Sequence, residues 1–542
     1  MESKQPSRAR FGRIVVLAAV LVAGCGGGGG GGISCEPGPT ISSTPPTVAT
    51  VGVQYTYVVT GQYLCGLALC FSIEGVNLPS DATVINASAK YVLWTPTADD
   101  AGRDVSFSIA TPPDSCGDRA TQSWTVHVYA APTIASFGAS PAQAQLGQAV
   151  QLTAEFGGGS AAVDALGAIQ SGEPLGSGPL LRGTFLTLTV TNAAGQSAHR
   201  SLWVPMTGPG TFRPTRGQPP LAAVHGPSAL LLADGRVFVA GVVAPGGGSH
   251  VLGATLLFDP ATETFTAGPS PIEARSQPGI AQLRDGRVLL VGGYAPDGSR
   301  LLSAELWDPA TDTMSPAGTL PAADAVLPAA VTLADGRVLV VHGGAGQGAE
   351  LYDPRTGAFS AAAPLESVQG RVGVEPLGDG SDQVLIVSEG PATPAEIFRP
   401  ASNDFAYTGA PGHQRRDFST ARLDDGRVLI SGGELAGSGV LPAELYDPGT
   451  RLFRDTGMPN YRAGAAGRAV VLLDGSVLVV GGDAERYDPA SGRFEVTGAP
   501  ALPRDGSQSL VRLGDGRVLV FGGCGAACSL AGQELDAELY TP

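Results

Sequence analysis

From about Gly208 onward the sequence repeats itself seven times, with signatures recurring at 41 to 51 residues. A unit that short cannot bury an apolar face alone, so its copies must pack on one another. Each unit reads as four short strands, a to d. Strand a appears as SALLL, GIAQL, AAVTL, GVEPL, STARL, AVVLL and SLVRL. A turn usually written DGR follows, at Asp234, Asp285, Asp335, Asp425 and Asp515; Asp-Gly marks a hairpin because glycine accepts positive φ. Strand b is VLVVGG or a variant. Strand c is AELYDP or a variant, with its aromatic at Phe258, Trp307, Tyr352, Phe398, Tyr446, Tyr487 and Tyr540.

Strand d opens on an apolar residue five positions after the strand c proline in six units, at Phe265, Met314, Phe359, Phe405, Phe453 and Phe494. In the seventh unit only Pro542 follows strand c, while an unpaired GTFRPTRG with Phe212 stands ahead of the first strand a. The segment around Phe212 is therefore expected to supply the last strand d, joining both ends of the repeat in one sheet and removing an exposed edge.

These DG, GG and aromatic-Asp-Pro signatures together resemble the kelch repeat, and the arrangement resembles that of bacterial kelch-repeat lipoproteins over about 330 residues. The resemblance implies a seven-bladed β-propeller of galactose-oxidase-like fold spanning residues 208–542. The first unit departs from it with Gly241-Val242 in place of the double glycine. The fourth departs with EIFRP in place of ELYDP, and is expected to be the weakest blade.

The rest of the chain fits an all-β reading: 78 Gly and 43 Pro favour short strands joined by turns. Period-two alternation at Gln54–Thr60 and Ser123–Tyr129 predicts a sandwich over 37–130. Its runs STPPTVATVGVQYTYVVTG, YVLWTPTADDAG and TQSWTVHV resemble the cadherin-like, immunoglobulin-like module of bacterial surface proteins. Residues 131–207 resemble a second Ig-like sandwich, and the two are expected to act as a stalk. Residues 1–24 combine Lys4, Arg8, Arg10 and Arg13 with the apolar run Ile14–Ala23, the pattern of an export signal too short to span a membrane. The run ends in Leu21-Val22-Ala23-Gly24-Cys25, which resembles a lipobox and implies lipidation of Cys25, followed by a Gly-rich tether over 25–36. The implied location is the bacterial cell envelope, and Gly26 implies the outer membrane, on its periplasmic or cell-surface side. With Cys25 assigned to lipid, Cys35, Cys65, Cys70, Cys116, Cys524 and Cys528 leave an even six in an oxidising compartment and are disulfide candidates, with the pairing of the first four open.

Residues used in nearly every blade are expected to be architecture. The DGR arginine is expected to pair with the Asp ending strand c, as in Arg337 with Asp353 and Arg427 with Asp447. The Glu opening strand c (Glu305, Glu350, Glu444) is expected to accept backbone N–H groups near the double glycine. Function is sought in what differs. The b-to-c connections vary from one residue at Asp483 to thirteen between Cys524 and Asp536, and with the d-to-a connections they share one face. Candidate binding residues on that face are Arg275, Tyr294, Arg300, Arg371, Arg416 and Arg504, the arginines suited to a carboxylate or sulfate. A net charge of −16 argues against nucleic acid. No catalytic constellation, metal site or cofactor is recognised in the residues. The expected function is a noncatalytic binding, adhesion or scaffolding module, monomeric and attached to the membrane by lipid, with a protein or glycan ligand. The alternative is a carbohydrate-active protein, a lectin or a galactose-oxidase-like copper oxidase.

Overall fold

The seven repeats become seven four-stranded antiparallel sheets, and the strand order in each is a-b-c-d. The computed structural model describes residues 38–542 except 63–71, 114–116, 220–225, 242–253, 322–325, 344–347, 366–368, 379–381, 390–394, 435–439, 461–466, 502–503, 524–528, 531–532 and 535–536. All seven cysteines lie outside the described residues, and with them the lipidation and disulfide expectations. The described residues divide into two compact units, one ending at Ala130 and the other running from Ala131 to Pro542.

In the first unit, a sheet of Glu74–Asn77, Asp104–Ala110, Thr121–Tyr129 and the parallel strand Val48–Thr50 faces a second sheet of Tyr55–Val59, Lys90–Trp94 and Thr83–Asn86. Alternation along Tyr55–Val59 sends Tyr55, Tyr57 and Val59 inward and Thr56 and Val58 outward, as the period-two pattern requires. Tyr55, Tyr57, Trp94, Phe107 and Trp124 fill the core, and the buried Trp124 indole N–H donates to the Tyr55 hydroxyl at 2.9 Å.

The second unit opens with another sandwich, whose sheets are Thr133–Ser140, Gln151–Gly157 and Leu175–Gly176 against Gly167–Ile169, Ser160–Val163, Thr184–Thr191 and Ser197–Val204. It is tied to blade 6 of the propeller. The Ala499 N–H donates to the Leu181 carbonyl at 2.8 Å, and Arg182 forms an ion pair with Asp483.

Strands b of the propeller (Val237–Ala240, Val288–Val291, Val338–Gly343, Val384–Glu389, Val428–Glu434, Val477–Val480, Val518–Phe521) are almost wholly apolar runs rather than alternating ones, because each blade is covered on both faces by its neighbours. The a strands are Ser228–Leu231, Gly279–Gln282, Val326–Thr332, Gln369–Pro376, Arg416–Arg422, Arg468–Val471 and Ser509–Arg512. Each packs on the next, and the first packs on the last, so the ring closes. Blade 7 takes its strand d from Thr211–Pro214, in register with Ala537–Thr541. Phe212 stands opposite Tyr540 as Phe265 stands opposite Phe258 and Phe453 opposite Tyr446. Blade 4 has four full strands; there Arg399 at the end of strand c pairs with Asp404 of strand d in place of the usual aspartate turn.

That aspartate turn corrects the expected cross-strand pairs. Asp353 accepts the backbone N–H of Arg355 at 2.9 Å and Asp447 that of Gly449 at 2.9 Å, so the carboxylate that ends strand c is spent on its own turn, where proline supplies no N–H. The DGR arginine instead binds the aspartate two residues before it. In blades 3, 5 and 7 it also reaches the carbonyl of the c-to-d proline in the following blade: Arg337 to Pro400, Arg427 to Pro489 and Arg517 to Pro260. The recurring triplet is both a hairpin and a brace between blades.

Candidate functional site

Three arginines just ahead of strand a serve the scaffold. Arg275 donates to the Gly292 carbonyl at 2.8 Å and the Ser303 carbonyl at 3.0 Å, and ion-pairs with Glu305 at 2.6 Å, with its side chain 0 % exposed. Arg415 joins the Gly432 and Pro442 carbonyls to Glu444, and Arg504 joins the Gly522 carbonyl to Glu538. The glutamates also accept backbone N–H groups: from Ile272 and Glu273 at Glu305, Gly412 at Glu444, Asn460 at Glu485 and Ala501 at Glu538. These donors lie in the d-to-a connection, not at the double glycine, whose carbonyl is taken by the arginine. Arg275 and Arg504 are therefore corrected from binding residues to buried clamps that join strands b and c to the incoming chain. Blade 3 has a histidine instead: His342, buried, lies within hydrogen-bonding distance of Glu350.

The other candidates fall elsewhere. Tyr294 and Arg300 bridge to each other across a short exposed hairpin, where the Tyr294 N–H donates to the Ser276 carbonyl at 2.9 Å. Arg416 is exposed at the start of its a strand. Arg371 lines a cavity. The long loops 242–253 and 435–439 are outside the described residues.

That cavity, about 410 Å³, is the mouth of the central channel on the face of the d-to-a connections, and all seven a strands contribute to it. Its polar side chains are Ser228, Gln277, Arg371, Ser419, Thr420, Arg468, Ser507, Gln508 and Ser509, on or just ahead of the a strands, among small and apolar neighbours. Several of these polar groups also brace the ring. The Ser228 hydroxyl donates to the Pro278 carbonyl at 2.7 Å, Ser509 to Pro227 at 2.6 Å, and the Ala469 N–H donates to the Ser419 hydroxyl at 2.9 Å. Among the described residues no aspartate or glutamate lines the mouth. Just behind it, Glu375 accepts the Thr420 hydroxyl at 2.8 Å. Desolvation among the a strands raises its carboxyl from the usual glutamate range, against that hydrogen bond and the Arg422 charge. Sequence reasoning looked to loops of differing length and passed over Arg468, Gln277 and Gln508, because they sit in or beside a strand that repeats in pattern.

No protein-family model matches the chain, and no curated protein matches it. Among solved structures it is similar to a novel fungal alcohol oxidase with catalytic diversity among the AA5 family, in complex with copper. The TM-score is 0.49, with 20 % identity, over 62 % of this chain and 76 % of that one. The expectation of a noncatalytic adhesion or scaffolding module is set aside, since this finding sits against it. At this identity the likeness concerns the fold and brings neither substrate nor metal to this chain.

Copper is tested on the residues themselves. His342 is enclosed with Glu350 in blade 3, and His413 lies on the outer side of blade 5, where its Nε2 meets Asp455 at 2.9 Å. Among the described residues no three His, Cys, Asp or Glu side chains converge, and His342 and His413 are held apart in separate blades; His225 and His250 lie outside the described residues.

Proposed function

We propose that this chain is a carbohydrate-active protein whose saccharide site is the mouth of the propeller channel. One observation supports the reading above the rest: seven non-identical a-strand ends open on a single cavity of about 410 Å³, furnished with hydroxyl, amide and guanidinium groups. Such a volume lies in the usual range for small-molecule sites, and hydroxyls and amides are the partners that sugar hydroxyls need.

The proposal includes the setting. A kelch-type lipoprotein, exported and held in the envelope by acylated Cys25, would present this face to glycans of the periplasm or cell surface, as a monomer and with no nucleic-acid partner. The basic residues and apolar run before Cys25 support that part. Loss of palmitate labelling in Cys25→Ser tests it.

A glycan array probed with the purified chain tests the site. Saccharide binding that is reduced by Gln277→Ala, with an unchanged thermal transition, is expected; uniform absence of binding across neutral and acidic glycans refutes it.

A further inference from the structure

The chain is acid-rich, with 49 Asp and Glu against 33 Lys and Arg, and in the propeller the arginines of the DGR turns and of the buried clamps are bound to carboxylates. Those of the DGR turns meet aspartates, and Arg275, Arg415 and Arg504 meet buried glutamates. Two arginines at the channel mouth do not follow this rule. Arg371 makes no hydrogen bond or ion pair among the described residues. Arg468 makes one long hydrogen bond, to the Phe418 carbonyl at 3.4 Å, which leaves most of its donors open.

Their positions in the ring sharpen the contrast. The residues equivalent to Arg468, set by pairing with strand b, are Ser228, Gly279, Ala329, Gly373, Ser419 and Ser509. Six of the seven are small, and the seventh is an arginine. Arg371 stands two blades away, with Ser419 and Thr420 of blade 5 between them. Both are half-buried, so their charge acts in a medium less polar than water, and among the described residues no carboxylate lines the cavity to neutralise it. Gln508 lines the same cavity. Its amide nitrogen donates to the Val480 carbonyl at 2.7 Å, while its amide oxygen is buried with no partner among the described residues.

We infer that the mouth takes an anionic saccharide, a uronate or a sulfated sugar, with its acidic group between Arg371 and Arg468 and its hydroxyls on the Ser, Thr and Gln side chains. The guanidinium fork matches either oxyanion in two-point geometry, which an ammonium would not. The inference rests on the saccharide-site reading above and narrows it to a charge class.

The test is titration calorimetry on the full chain with three oligosaccharide probes of equal length: a polyuronate, its carboxyl-reduced neutral form, and a sulfated neutral glycan. Binding of one acidic probe, weakening with salt, is expected, and which probe binds distinguishes carboxylate from sulfate. Arg371→Gln and Arg468→Gln are each expected to weaken it about tenfold or more, the effect of losing one charged hydrogen-bonding partner. Arg371→Lys tests the fork and should restore only part of the loss. Thermal unfolding of each variant checks that the ring still closes. If the neutral probe binds as well as the acidic ones and neither glutamine variant changes the affinity, the anion inference is overturned while the saccharide site stands. If no probe binds, both readings fall together.

Discussion

Arg504 and Glu538 face each other at 2.5 Å with side chains 0 % and 1 % exposed, and the same guanidinium holds the Gly522 carbonyl. Three stretches of chain meet at this pair: the connection entering blade 7, the double glycine ending its strand b, and the opening of its strand c. Removing one partner strands a buried charge. Arg504→Ala is expected to destabilise the propeller by about 3–5 kcal/mol, whereas Arg371→Gln, which breaks no buried ion pair, should stay within about 0.5 kcal/mol. Calorimetric scans of the two variants check the contrast.

Ring closure depends on Phe212, which is 2 % exposed and packs on Tyr540 with ring centroids 4.8 Å apart. Phe212→Ala is expected to cost about 3–5 kcal/mol. It should also raise amide exchange in Ala537–Thr541 before that of blade 3, as hydrogen–deuterium exchange would read.

Glu263 clasps the same seam from the other side. It lies in the c-to-d turn of blade 1, bonded to Arg213 of the closing strand at 2.5 and 2.7 Å and to Arg517 of blade 7 at 2.5 Å. The Arg213 hydrogen bonds, then those of Arg517, overcome burial and hold its carboxyl down at about 2 from the ordinary 4.5. A depressed carboxyl pKa stabilises the fold above the unfolded value, and that contribution is lost as pH falls through the folded one. The native chain should lose stability between about pH 4.5 and 2 in excess of Glu263→Gln, which is weaker at neutral pH. Melts across that range measure the difference.

Two glycines of blade 2 separate backbone strain from collision. Gly286 and Gly293 have φ of 93° and 91°, but a Cβ on Gly286 meets open space, while one on Gly293 would lie 2.3 Å from the Ser276 carbonyl oxygen. Gly286→Ala should cost about 1–2 kcal/mol from the left-handed backbone alone. Gly293→Ala should cost more, and paired denaturant titrations would show it.

The repeat made the blades and their closure legible because strand spacing and the c-to-d aromatic pairs are local, and Phe212 could be matched to them one by one. The roles of the polar residues were less legible. Asp353 was assigned to a neighbouring strand when its own turn, two residues on, satisfies it. Arg275 looked like a surface residue near a channel, yet it lies behind the double glycine and meets a glutamate 30 residues away. The channel mouth was hidden for another reason: Arg371, Ser419 and Arg468 come together only when separate blades are set in a ring, so no run of sequence displays them as a group.

The most direct measurement is a crystal structure of the chain grown with the oligosaccharide that binds it best. A sugar in the channel mouth, its acidic group within hydrogen-bonding distance of Arg371 and Arg468, is the predicted result. A sugar bound elsewhere, on the outer blades or the turn face, would contradict the account.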